Sequence, residues 1–284
     1  MESNKVTKVA VIGTGTLGPS IAQVFSQCEK IEKVFLCKGR ASSRSNGKDK
    51  LEKTFSKLVA KEKITQEQAD SYLAKIEIGG IDLAYNADFL VEAVSEDVEI
   101  KKTLFKQLDE ICNENTVFAT NTSSLPIQVI GEGISRPLIG MHFFNPAPAM
   151  KLVEIIVTEK TPQDMVELVK SLAHDIGKTP LEVREAPGFV VNRLLIPMIN
   201  EAISIYAEGV ASVEDIDTAM KLGANLPMGP LALGDLIGLD VVLAILNVIL
   251  KETGDTRYLP QPMLKKMVRE KKLGRKTGEG FYKY

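Results

Sequence analysis

An α/β domain followed by a smaller all-α domain is the fold that these 284 residues predict. Three observations carry the prediction. The chain opens on a β-branched run that ends in a glycine turn, followed by an amphipathic segment and a second apolar run. Short apolar runs then alternate with helical patterns as far as Pro187. Beyond that point only helical periodicity remains.

The elements follow in order. Residues 6–12, Val-Thr-Lys-Val-Ala-Val-Ile, read as a strand bounded by Gly13. Ile21, Ala22, Val24 and Phe25 recur at helical spacing, and Val34-Phe-Leu returns to a strand, which is a βαβ layout. Residues 48–75 are charged, with Leu51, Phe55, Leu58 and Val59 at helical spacing, and read as one or two exposed amphipathic helices. Apolar runs at 89–94, 117–119, 138–141 and 153–157 read as strands, with helical segments at 100–113 and 162–176. That alternation predicts a largely parallel sheet. Helical patterns at 189–208, 213–222, 235–252 and 260–271 make up the rest, with Ser212 as a helix-start cap and Pro227, Gly229 and Pro230 as breaks. The expected domains are 1–186 and 187–284.

Charge and composition exclude several partners. Lys plus Arg number 35 against 37 acids, so neither nucleic acid nor an anionic membrane is expected as the main partner. Cys28, Cys37 and Cys112 lie far apart without metal-ligand spacing, which suits a reducing, cytoplasmic setting and predicts no metal. The first residues lack the layout of a signal peptide. The most apolar stretch, 236–250, is interrupted by Asp240 and Asn247 and is too short for a bilayer.

Gly13-Thr-Gly15-Thr16-Leu17-Gly18 is a G-x-G-x-x-G turn between a strand and a helix. Gly13 permits the tight turn, Gly15 lets the backbone approach a pyrophosphate, and Gly18 lets the helix pack closely on the strand. The helix N-terminus offers N–H groups and a positive dipole to phosphate. The first domain is therefore read as a Rossmann-type dinucleotide-binding domain. NAD sites usually carry an acid after the second strand, for the ribose hydroxyls. Here Lys38, Arg40, Ser42, Ser43 and Arg44 stand instead. Basic and hydroxyl groups suit a ribose 2′-phosphate, which favours NADP(H) over NAD(H). A solvated basic loop with no part in selection is the alternative.

Of two histidines, His174 falls on a helical pattern and reads as a surface or packing residue. His142 ends an apolar run and opens Phe-Phe-Asn145-Pro146, at a strand end, where open α/β sheets place ligands. Glu154 sits among aliphatics in Leu152-Val-Glu-Ile-Ile, and a carboxylate there needs a partner. His142 is the suitable one, and the pair reads either as a general acid/base or as a satisfied core pair. Thr122, Ser123 and Ser124 follow another strand, and Asn192 falls on the early turns of the second domain's first helix. Both sets suit substrate contact or plain capping.

Taken together, these segments resemble the 3-hydroxyacyl-CoA dehydrogenase family, most closely its single-function bacterial 3-hydroxybutyryl-CoA dehydrogenases. The resemblance spans nearly the whole chain. It rests on Asn121-Thr-Ser-Ser, Gly140-Met-His-Phe-Phe-Asn-Pro-Ala-Pro, Met150-Lys-Leu-Val-Glu, Glu185-Ala-Pro-Gly-Phe-Val-Val-Asn-Arg and Asn225-Leu-Pro-Met-Gly-Pro. It implies interconversion of (S)-3-hydroxyacyl-CoA and 3-ketoacyl-CoA, with acetoacetyl-CoA and 3-hydroxybutyryl-CoA as the short-chain pair. On this resemblance His142 is the acid/base, Glu154 holds it, and Ser123 and Asn192 bond the substrate oxygens. Glu96, Lys101 and Asn145 match positions lining the cofactor's ribose and nicotinamide, while Lys57 and Lys61 match lysines that meet the CoA phosphates. Lys38 departs from the family's usual acid, which puts NAD preference in doubt. The segment between Ser123 and His142 looks about two residues shorter than usual, in a loop-rich connection. A homodimer through the second domain is also implied, in keeping with Leu231, Leu233, Leu236, Ile237 and Leu239 on more than one helical face. A non-catalytic relative would keep the glycine turn but need not keep His142, Glu154, Ser123 and Asn192. β-Hydroxyacid dehydrogenases on free acids join similar domains but rely on a lysine base.

Overall fold

The computed structural model describes residues 5–39 and 47–284. The chain divides into two units, Met1–Glu185 and Ala186–Tyr284. The first unit begins with β1 (Lys8–Ile12), α1 (Gly18–Ser26), β2 (Lys33–Cys37), α2 (Gly47–Ala60), α3 (Gln66–Ala74) and β3 (Ile76–Gly79). It continues through β4 (Phe89–Glu92), α4 (Val98–Ile111), β5 (Val117–Thr120), α5 (Ile127–Ile130) and β6 (Leu138–Phe143). β7 (Leu152–Val157), α6 (Gln163–Asp175) and β8 (Thr179–Arg184) complete it.

These strands form one sheet in the order β3-β2-β1-β4-β5-β6-β7-β8. Neighbours run parallel except β6 and β7, which are antiparallel. Helices cover both faces of the central strands, so β1, β4 and β6 are buried along nearly their whole length and read as continuous apolar runs. Phe25 of α1 packs its ring against Phe89 and Phe143, at 6.3 Å between centroids in each case. The strands β1, β4, β5 and β6 therefore end together, and their C-terminal ends carry the candidate site.

The sequence reading missed β3 and β8. Both lie at the edges of the sheet, half-exposed, so neither shows an unbroken apolar run. Pro180 sits within β8, where an edge strand tolerates the missing donor.

The second unit holds α7 (Val191–Ala207), α8 (Val213–Gly223), α9 (Pro230–Ile237), α10 (Leu239–Thr253) and α11 (Pro262–Arg269). Ser212 caps α8 as expected, its Oγ accepting from the N–H of Asp215 at 3.1 Å. The single helix expected over 235–252 is instead two, bent by 95° at Gly238. Gly238 has φ 103°, a conformation that ends a helix and favours glycine. Leu231, Leu239, Val242, Leu246 and Ile249 from this pair form the unit's core with Ile196, Ile199 and Ile203 of α7. Among the described residues no single helix is long and apolar enough to cross a membrane.

The three cysteines are buried and unpaired by disulfide. Burial pushes the Cys37 thiol up to about 12 and the Cys112 thiol up to about 11, so neither is an accessible nucleophile. His174 is exposed in the last turn of α6.

Candidate active site

Three groups of residues meet the C-terminal ends of the strands in the first unit. The first is the glycine turn. Gly13 leaves β1 with φ 129°, and its N–H donates to the Cys37 carbonyl at 2.8 Å, tying the turn to the end of β2. A Cβ at Gly13 would strike the backbone of Ala93, and one at Gly18 would strike the carbonyl of Gly13. A Cβ at Gly15 would meet nothing of this chain within 4 Å. Two glycines are thus required by the fold, while Gly15 opens onto solvent, as a phosphate-binding turn demands. Gly15 and Thr16 are exposed. Leu17 stands at the N-cap of α1, where its apolar side chain cannot cap the first N–H groups. The residues present fit a dinucleotide.

Lys38 follows β2 directly and is half-buried, its N–H donating to Gly79 O at 2.9 Å. Arg40, Ser42, Ser43 and Arg44 lie outside the described residues. Lys50, in the first turns of α2, donates from Nζ to the carbonyls of Gly15 (2.9 Å) and Thr14 (3.4 Å). It brings a cation to the turn that no sequence periodicity singles out.

The second group is the His142–Glu154 pair. His142 and Glu154 are register partners across the β6–β7 pair. His142 Nδ1 lies 2.8 Å from Glu154 Oε2, with side chains 6% and 0% exposed. The Phe144 ring packs on the imidazole at 4.5 Å between centroids. Asn121 Oδ1 accepts from the Phe143 N–H at 2.7 Å and joins the end of β5 to that of β6. Lys178 Nζ donates to the carbonyls of Ala147 (2.6 Å) and Met150 (2.8 Å), fixing the loop after β6. Asn145 is exposed on that loop, before a cis peptide bond to Pro146.

The third group joins β4, α4 and the segment after β5. Glu96 Oε1 accepts from Thr122 Oγ1 (2.7 Å), from the Ser123 N–H (2.7 Å) and from Ser123 Oγ (2.9 Å). Burial alone would raise the Glu96 carboxyl, but the Lys101 charge and these hydrogen bonds outweigh it and hold it below its ordinary value. Lys101 is buried in α4, its ammonium bonded to both oxygens of Glu92 and 3.4 Å from Glu96 Oε2.

The remaining expected residues lie on or just past α2 and on α7. Lys57 is exposed in the last turn of α2, and Lys61, also exposed, lies one residue past its end. Asn192 is buried in the first turn of α7, in the second unit. Glu92 went unnoticed in the sequence, although an acid closing the run Phe-Leu-Val-Glu carries the same signal as Glu154.

Residues 8–186 match the 3-hydroxyacyl-CoA dehydrogenase NAD binding domain, and residues 188–284 match the C-terminal domain of the same family. A 3-hydroxybutyryl-CoA dehydrogenase of Clostridioides difficile is 53% identical over 98% of this chain and 99% of its own. The crystal structure of (S)-3-hydroxybutyryl-CoA dehydrogenase PaaH1 from Ralstonia eutropha is 41% identical, with a TM-score of 0.90, covering 98% of this chain and 99% of that one. That of Mycobacterium tuberculosis FadB2 is 33% identical, with a TM-score of 0.94 over the same shares. The chain belongs to the 3-hydroxyacyl-CoA dehydrogenase family.

Proposed function

We propose that this protein is an (S)-3-hydroxyacyl-CoA dehydrogenase that interconverts acetoacetyl-CoA and 3-hydroxybutyryl-CoA and prefers NADP(H) to NAD(H). The observation that carries the reading is the 2.8 Å contact between His142 Nδ1 and Glu154 Oε2, at the sheet end that also holds the glycine turn.

Gly13, Gly15, Thr16, Leu17 and Gly18 would hold the pyrophosphate, and Lys38 and Arg40 the 2′-phosphate. Glu96 and Asn145 would line the ribose and nicotinamide, with Lys101 behind Glu96. When bound, the nicotinamide supplies or accepts the hydride at C3 of the substrate. On reduction, His142 gives its Nε2 proton to the oxygen as it becomes an alkoxide; on oxidation it takes that proton back. Glu154 accepts the Nδ1–H bond, fixes the tautomer and stabilises the imidazolium form. Ser123 and Asn192 would bond the substrate oxygens, and Lys57 and Lys61 the CoA phosphates.

A homodimer through the second unit accompanies this reading, although Leu231 and Leu239, named for it from the sequence, are buried in the unit's own core; its support is instead Leu194, Val210 and Leu222, which keep 72%, 70% and 82% of their surface exposed. Three buried thiols without a disulfide suit a cytoplasmic home. The test is turnover of acetoacetyl-CoA against free acetoacetate, each with NADPH and NADH. Oxidation of NADPH that requires the CoA thioester is expected. Equal rates on the free acid would overturn the substrate assignment.

A further inference from the structure

A buried charge pair stands behind the serine of the candidate site. Glu92 closes β4 and is fully buried. Its Oε1 and Oε2 accept from Lys101 Nζ at 2.7 and 2.9 Å, its Oε2 from Thr120 Oγ1 at 2.7 Å, and its Oε1 from the Val94 N–H at 2.6 Å. Lys101 is 1% exposed, and Glu96 Oε2 lies 3.4 Å from its ammonium. Three carboxylate oxygens thus surround the ammonium, two of them hydrogen-bonded to it. Burying two ions at a strand end costs desolvation, and an apolar pair of the same size is often as stable or more so. The pair therefore asks for a role other than stability.

That role lies one step further out. Glu96 Oε1 receives Thr122 Oγ1, the Ser123 N–H, Ser123 Oγ, the Ser124 N–H (3.1 Å) and Ser124 Oγ (3.4 Å). One carboxylate oxygen has two lone pairs, so these donors compete. The backbone N–H groups and Thr122 can hold the carboxylate while the Ser123 hydroxyl turns toward a substrate oxygen. We propose that Glu92 and Lys101 are positioning residues for Ser123: together they fix Glu96, and Glu96 presents the serine. The proposal rests on the reading of Ser123 as a substrate-binding residue.

The experiment is a double-mutant cycle of Glu92→Gln with Ser123→Ala, read by kcat on acetoacetyl-CoA and by amide hydrogen exchange. Glu92→Gln is expected to lower kcat by roughly 10- to 100-fold, the size of effect a displacement of about 1 Å produces. It should also speed exchange of the Ser123 and Ser124 amides while leaving that of Phe143 unchanged. In the Ser123→Ala background the same substitution is expected to cost less than about twofold, because the group it positions is gone. Glu92→Gln leaves a buried cation poorly matched, so Glu92→Gln/Lys101→Met is made alongside it; this removes that cation and leaves Glu96 held by its hydroxyl and N–H donors. This variant should melt near the wild-type temperature yet keep the loss in kcat. An undiminished effect of Glu92→Gln in the Ser123→Ala protein overturns the proposal, as does wild-type kcat in the folded double variant. Wild-type kcat in Ser123→Ala alone overturns the role of Ser123 itself, and the proposal with it.

Discussion

Glu154 faces His142 rung for rung across the one antiparallel pair of the sheet, and the two side chains bond at 2.8 Å with almost no exposure to water. On the proposed function the carboxylate would serve the ring twice, as an acceptor that selects the tautomer and as a counter-charge during proton transfer. His142→Gln should lower kcat by roughly 10²–10⁴-fold, the range for loss of a general acid. Glu154→Gln keeps the shape but removes the charge and should also lower kcat. Circular dichroism confirms the fold of each variant. A folded His142→Gln protein with near-normal turnover would refute the assignment.

Gly15 and Gly18 separate binding from folding. A methyl at Gly15 meets nothing of the chain, whereas one at Gly18 runs into the Gly13 carbonyl. Gly15→Ala is therefore expected to melt within about 0.5 kcal/mol of wild type, as surface changes do. Its affinity for dinucleotide should fall at least about tenfold, or about 1.4 kcal/mol. Gly18→Ala should lose about 1–3 kcal/mol of stability from overpacking. Thermal melting and fluorescence titration with NADPH measure both. Unchanged NADPH affinity in Gly15→Ala would count against the turn as the phosphate site.

Lys38 stands where an acid would bond the ribose hydroxyls. A hydrogen bond to a charged group contributes about 1.5–3 kcal/mol, so Lys38→Asp should shift the NADPH-to-NADH ratio of kcat/KM toward NADH by roughly 10- to 100-fold. Lys50 grips the turn itself, and Lys50→Met is expected to weaken both dinucleotides alike. A wild-type preference for NADH that ignores the Lys38 change would refute the basic-residue argument.

Asp109 gives a pH signature of stability. Burial would raise its carboxyl, but the Ser135 N–H at 2.7 Å, Arg136 Nε at 2.7 Å and Ser135 Oγ at 3.0 Å outweigh that and hold it below its ordinary value. The native carboxylate stays ionised to lower pH than the unfolded one, so the unfolded chain binds more protons between the two values. The contribution is complete above the ordinary value of about 3.9 and is lost as pH falls through the native one. Asp109→Asn should cost about 1–3 kcal/mol at neutral pH, and the gap should close in acid. Urea unfolding at several pH values checks it; a gap that widened in acid would contradict this sign.

The middle of the sheet was legible because both faces of β1, β4 and β6 are covered, which forces continuous apolar runs. The edges were not, since no residue of β3 or β8 is fully buried and polar side chains interrupt both. Gly238 was hidden for a different reason: α9 and α10 are apolar on both sides of it, so periodicity runs on where the backbone turns. Within the site, Glu154 and His142 were readable from one acid among aliphatics and one histidine at a strand end. Glu92 carries the same mark, but its partner Lys101 looks like any helical lysine until α4 is laid against β4. Lys50 becomes visible only once α2 is packed beside the turn.

The reversal between β6 and β7 makes the meeting of His142 and Glu154 a matter of counting. Side chains alternate along β7, so Val153 and Ile155 flank Glu154 on the opposite face. Residues gained or lost in the connection between 143 and 152 leave that parity intact, whereas deleting one residue inside β7 before Glu154 would present an aliphatic to the imidazole. Length changes in this connection would therefore spare the register of the pair, while moving Asn145 and the carbonyls that Lys178 holds.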